Sequence, residues 1–313
     1  MPALFQLELR GDFSKAGGIR LPEQLKCLQL FKFEPTGLQH LTELMLCGRP
    51  AGHDAVLIPL SPRLRRLCLD VDFADDRTLE LPPLQEELVI GAGVTRPFAL
   101  PLPPGLCREL CLYRALTIAL PLDGDEQEQL HEPHDIAWPA SIRSLVLRYW
   151  EVGMDLPRCI TSLSLTETLP FTLDNLVFNT ALALESLYTS GLSGGTHDIY
   201  ERLGDHWEMV RLPASIKKLT LGPYINNNAV HRMMENGLPP ALEELKVESG
   251  SDFNAPLTAL PPTLQVLHLN KTFDAPLENV PAGLQEAVLP TRMRLPLQAG
   301  ALPLPPAARV SFI

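Results

Sequence analysis

Residues 260–269 read Leu-Pro-Pro-Thr-Leu-Gln-Val-Leu-His-Leu, and the phrase Leu-Pro-x-x-Leu-x-x-Leu-x-Leu returns at residues 21–30, 156–165, 212–221 and 238–247, with Ile or Val admitted at its apolar positions. The last apolar residue of each phrase or partial phrase is Leu9, Leu30, Leu46, Leu69, Ile90, Leu112, Leu147, Leu165, Thr189, Leu221, Val247, Leu269, Leu289 and Phe312, at intervals of roughly 22 residues. The closing Leu-x-Leu alternates with period two, which makes it a short strand with its leucines on one face. One such strand cannot bury that face alone. Stacking neighbours in parallel aligns the leucines into a shared core, and the segment between strands returns over the other side.

This period and the Leu-x-x-Leu-x-Leu core resemble the leucine-rich repeat superfamily. The preceding Leu-Pro is similar to the bacterial class in which a doubled Leu-Pro leads into the strand, and residues 100–103 and 302–305 match it best. Over residues 238–289 the chain resembles FNIP repeats, through Phe253-Asn254-Ala255-Pro256-Leu257 and Phe273-Asp274-Ala275-Pro276-Leu277. That resemblance implies an aromatic as the inward residue after the strand and a protein-interaction role. The asparagine usual three residues after the last strand leucine is replaced by Asp12, Phe33, Asp72, Trp150, Tyr224 and Thr272, so no asparagine ladder is expected.

The fold class expected is an α/β solenoid: a leucine-rich repeat horseshoe with a parallel concave sheet and mostly extended or short-helical convex segments. The 31 prolines in 313 residues are roughly twice the average usage of about 5% and cluster just before the strands. Proline fixes φ and disfavours helix in the residue before it, which limits convex helices. No composition break divides the chain, so residues 1–313 read as one domain of about fourteen repeats. Three long intervals interrupt it, at 113–137, 190–211 and 222–237.

Charge and cysteine usage narrow the class. With 26 basic and 37 acidic residues the net charge is −11, which argues against a generic nucleic-acid partner. Arg63, Arg65 and Arg66 read as solvated repeat surface. No secretory signal, membrane-spanning run or basic membrane-binding tail is evident, so a cytoplasmic protein is expected, although injection into a host cell needs no cleavable signal. Cys27, Cys47, Cys68, Cys107, Cys111 and Cys159 occupy ordinary repeat positions and read as reduced thiols. Neither a metal nor a cofactor is expected.

Within each repeat, positions one, four and six point inward and positions three, five and seven line the displayed face. Position five carries Met45, Cys68, Val89, Cys111 and Val146 in consecutive repeats, an apolar stripe on a face otherwise meeting water. Position three adds a polar rim of Glu43, Arg66, Glu87 and Glu109, and position seven adds Asp70, Tyr113 and Arg148. With Tyr149 beside them, these aromatic and arginine side chains are of the kind that dominates interface energetics. The partner-binding set is therefore Met45, Arg66, Cys68, Glu87, Val89, Cys111, Tyr113, Val146, Arg148 and Tyr149.

The long intervals invite other chemistry without specifying it. Residues 123–135, with His131 and His134, match no metal-site spacing and read as a solvated loop. Ile199, Leu203, Trp207 and Val210 predict an amphipathic helix over 198–210, beside His197, Asp198, Asp205 and His206. Residues 226–237 predict a short helix N-capped by asparagine and C-capped by Gly237.

The function expected is a non-catalytic scaffold binding a protein partner on its concave face. The alternative is an injected bacterial effector or substrate-recruiting subunit acting in a host cell, or an immunity or antitoxin protein. A third reading, an enzyme built on the second interval, has no nucleophile placed by motif. The strand-like segments 4–9 and 310–313 are expected to present open edges, supporting a homodimer through a terminal repeat edge.

Overall fold

The computed structural model describes residues 6–9, 25, 27–31, 41–47, 60–70, 86–90, 109–113, 140–148, 154–168, 176–177, 183–191, 212–223, 237–251, 253–294 and 304–313. The chain divides into two compact units, Met1–Arg148 and Tyr149–Ile313.

The first unit contains β1 (Gln6–Leu9), β2 (Cys27–Phe31), β3 (Glu43–Cys47), β4 (Arg66–Asp70), β5 (Glu87–Ile90), β6 (Glu109–Tyr113) and β7 (Ser144–Arg148). Each pairs in parallel with the next, in sequence order. The register is one repeat to the next without slippage: Leu44 faces Leu67, Leu67 faces Leu88, Leu88 faces Leu110 and Leu110 faces Leu145.

The second unit contains β8 (Met154–Asp155), β9 (Ser162–Thr168), β10 (Leu176–Val177), β11 (Ser186–Gly191), β12 (Lys218–Leu221), β13 (Glu244–Val247), β14 (Val266–His268), β15 (Glu286–Leu289) and β16 (Arg309–Phe312). Here β9, β11, β12, β13, β14, β15 and β16 form the parallel ladder, again in sequence order. The two-residue strands β8 and β10 pair with each other in a separate sheet.

The inward positions are those the phrase assigns. Leu64, Leu67 and Leu69 are buried, as are Ile142, Leu145 and Leu147, Leu184 and Leu187, Ile216, Leu219 and Leu221, and Leu264, Leu267 and Leu269. Thr189 occupies the third inward position of its repeat and is buried too. Each leucine taken fully out of water contributes about 1.5–3 kcal/mol, and the ladder repeats that gain from coil to coil.

Proline acts as the entry to each strand. The carbonyl of Pro157, Pro213, Pro239, Pro261, Pro281 and Pro305 accepts the N–H of the residue three further on, closing a turn that delivers the first inward residue. In the β4 repeat Ser61 takes this place, its carbonyl accepting the N–H of Leu64 and its Oγ that of Arg63. In most described coils the residue before the strand then offers its carbonyl to two N–H groups of the next coil, as Glu243 does to Gln265 and Val266.

Both units are therefore parallel β-solenoids whose main sheet takes one short strand from each coil. The α component of the expected horseshoe is not carried by the described residues: their one helical element is the 3-10 turn Thr291–Met293. Where the return segment is described it is extended. Leu257 and Leu277 make an isolated parallel bridge, with Leu257 N–H donating to the Pro276 carbonyl and Glu278 N–H to the Leu257 carbonyl. Pro256 and Pro276 cannot donate a backbone hydrogen bond, which suits extended chain and not helix. The expected helices over 198–210 and 226–236 lie outside the described residues; Gly237, the expected C-cap, has φ 82°, the left-handed value that such a cap uses.

The second unit also holds asparagines that tie one coil to the next, at places other than the usual ladder position. Buried Asn270 donates from Nδ2 to the Ser251 carbonyl at 2.7 Å, Asn254 Oδ1 accepts the N–H groups of Asp274 (2.8 Å) and Ala275 (2.9 Å), and Asn279 donates to the Thr258 carbonyl. At the usual position Thr272 is exposed.

Candidate partner-binding face

Register decides whether the sequence-assigned stripe is real, because a one-residue slip would send alternate side chains to the opposite face. Met45 stands opposite Cys68, Cys68 opposite Val89, Val89 opposite Cys111 and Cys111 opposite Val146. The five residues form an unbroken line across β3 to β7, perpendicular to the strands. Gln29 on β2 closes the line at its near end, opposite Met45.

The line is not uniformly open. Met45 is 37% exposed, Cys68, Val89 and Val146 are half-buried, and Cys111 is only 7% exposed. Met45 is thus the exposed end of the line, and Cys111 departs from the expectation of an open display residue.

The rim at position three is an electrostatic chain. Arg66 lies 3.6 Å from Glu43 and 3.2 Å from Glu87, on the strands either side. Beyond it, Glu87 stands opposite Glu109, and like charges placed directly across a ladder repel. Glu109 accepts a hydrogen bond from the Cys111 thiol at 3.5 Å. Burial, then the Glu109 charge and that hydrogen bond, then Glu87, push the thiol well above the ordinary range, so Cys111 stays protonated at neutral pH. Among the described residues Cys68, Cys111 and Cys159 carry free thiols.

At position seven, Tyr113 and Arg148 are paired in register on β6 and β7, and Asp70 stands opposite Cys47. Tyr149 lies outside the described residues, as do His131, His134, His197, Asp198, Asp205 and His206. The structure thus brings nine of the ten sequence-assigned partner residues onto one sheet face by register.

The second unit displays a different surface. Its position-five line runs Ser164, Tyr188, Thr220, Lys246, His268, Val288 and Ser311, largely polar. Flanking it, Lys218 and Lys246 both pair with Glu244, His268 Nε2 lies 2.8 Å from Glu286, and Arg309 reaches the same carboxylate at 3.5 Å. The lysines hold the Glu244 carboxyl below its ordinary range, the Lys246 hydrogen bond contributing most, against an opposing push from burial. Each of these two carboxylates has two basic partners, whereas in the first unit carboxylates outnumber their described partners. Apart from the same-strand pair Lys246–Glu244, these ion pairs join residues about one repeat apart, so no local sequence pattern announces them.

No family model matches the chain, and no curated protein matches it. The solved structure of CroV588, described as a novel circular LRR protein, is similar at 17% identity with a TM-score of 0.49; the match covers 86% of this chain and 40% of that one. The chain spans less than half the length of that protein.

Proposed function

We propose that this chain is a non-catalytic, cytoplasmic scaffold that binds a protein partner on the strand face of β3 to β7. The carrying observation is the continuous register of Met45, Cys68, Val89, Cys111 and Val146, which turns scattered apolar residues into one line. Contiguous apolar surface rimmed by polar groups is a physical signature of an interaction site. A long, shallow line suits a macromolecular partner better than a small molecule, which needs a concave pocket to bury most of its surface. Arg66, Glu87, Tyr113 and Arg148, at the flanking register positions, complete the described contact set, and Tyr149 is its remaining sequence-assigned member.

The test is affinity capture from the native cell by the chain and by its Val89→Asp, Val146→Asp double variant, read by mass spectrometry. Capture of a specific partner by the parent and its loss in the variant, with an unchanged circular dichroism melt, supports the reading. Equal capture by both removes the site assignment.

A further inference from the structure

We propose that the occupant of this stripe is a basic amphipathic helix, with its apolar side on the line from Met45 to Val146 and a lysine or arginine set against Glu87 and Glu109. The inference rests on the preceding reading of the stripe as a partner site and names the partner's chemistry.

Two observations carry it. The first is charge. Along position three from β3 to β6 the residues are Glu43, Arg66, Glu87 and Glu109, three carboxylates to one guanidinium. Arg66 is engaged by Glu43 and Glu87 and leaves Glu109 without an ion pair among the described residues. Glu109 instead accepts the weak thiol donor of Cys111, while the neighbouring Glu87 repels it. A cation delivered between the two carboxylates relieves that repulsion and replaces a weak donor with a charged one. Complementary charge of this kind fixes register and excludes acidic competitors.

The second observation is spacing. The stripe crosses β3 to β7, four strand intervals of about 4.8 Å, or about 19 Å in all. An α-helix laid along it presents one apolar residue per turn, every ~5.4 Å, a mismatch of about 0.6 Å at each strand. An extended segment presents same-face residues every ~6.7 Å, a mismatch of about 1.9 Å that loses registry within three strands. About 13 helical residues span the line.

The probe is a 15-residue, lactam-stabilised helical peptide with four leucines on one face and two lysines beside them, measured by fluorescence anisotropy against the full chain. A twin carries glutamates for the lysines, and a third peptide of the lysine composition carries a central proline. The lysine helix should bind, the glutamate twin roughly tenfold more weakly at low ionic strength, and the difference should shrink in ~1 M salt. Glu109→Lys in the chain should invert the preference, and Glu109→Gln should reduce it. Equal binding of lysine and glutamate helices, both lost in Val89→Asp, overturns the basic helix and leaves the apolar stripe standing as a site. Equal binding of the proline peptide overturns the helical geometry. If no peptide binds, the inference falls, and partner capture by the parent chain judges the stripe separately.

Discussion

Phe253 and Phe273 occupy equivalent places in successive coils of the second unit, both fully buried, with ring centroids 5.8 Å apart and planes inclined by 20°. Met293, 20 positions further on, is also buried. The two rings stack from one coil to the next. Phe273→Ala removes one ring of this column and should cost about 3–5 kcal/mol, and Phe273→Leu should cost less. Urea unfolding measures both; equal costs would show that the column is not close-packed.

Asn254 binds two backbone N–H groups of the next coil through one oxygen, and its Nδ2 donates to the Asp274 carboxylate. Asn254→Ala leaves those donors unsatisfied and should destabilise by about 1–3 kcal/mol. Asn254→Asp keeps the acceptor but sets two carboxylates together, so its penalty should grow with pH from 3 to 6. A pH-independent penalty in thermal melts would contradict this arrangement.

Gly222 is a close-approach glycine. A Cβ there would lie 2.6 Å from the Tyr188 hydroxyl and 2.9 Å from its ring, with Ser190 equally near. Tyr188 is held in place by its hydrogen bond to Glu248. Gly222→Ala should therefore cost about 1–3 kcal/mol by overpacking, and less in a Tyr188→Ser background. Additive penalties in the double-mutant cycle would place the strain elsewhere.

Cys111 makes stability fall at alkaline pH. Its folded-state pKa is raised, so its protonated form contributes fully below the unfolded thiol value of about 8.5, and the contribution is lost as pH rises above it. Unfolding free energies of the parent should decline between pH 8 and 9.5, and Cys111→Ala should flatten that decline. Identical slopes would mean that the buried thiol is not the titrating group. Alkylation in the folded state should also be slower at Cys111 than at half-buried Cys68 and Cys159.

Glu244 provides the opposite limb. Its carboxyl pKa is lowered, so its stabilising effect is present above the ordinary glutamate value of about 4.3 and is lost as pH falls through the depressed one. Lys246→Ala should shift the acid-unfolding midpoint upward. No shift in that midpoint would show that the Lys246 pairing carries no weight.

The Leu-Pro phrase by itself determined which residues face inward and roughly where each strand lies, because period-two alternation leaves a strand one way to bury Leu264, Leu267 and Leu269. It also put Met45, Cys68, Val89, Cys111 and Val146 at one repeat position. Only the tertiary structure decided that they form a line, since repeats of unequal length can still pair out of register, and β6 to β7 keeps register across the longest interval. The same holds for the burial of Cys111, and for the sharing of Arg66 between two glutamates and the asparagine bonds from Asn254 and Asn270, which join atoms about a repeat apart. Periodicity fixes what every coil has in common; the differences between adjacent coils take spatial form only when those coils are stacked.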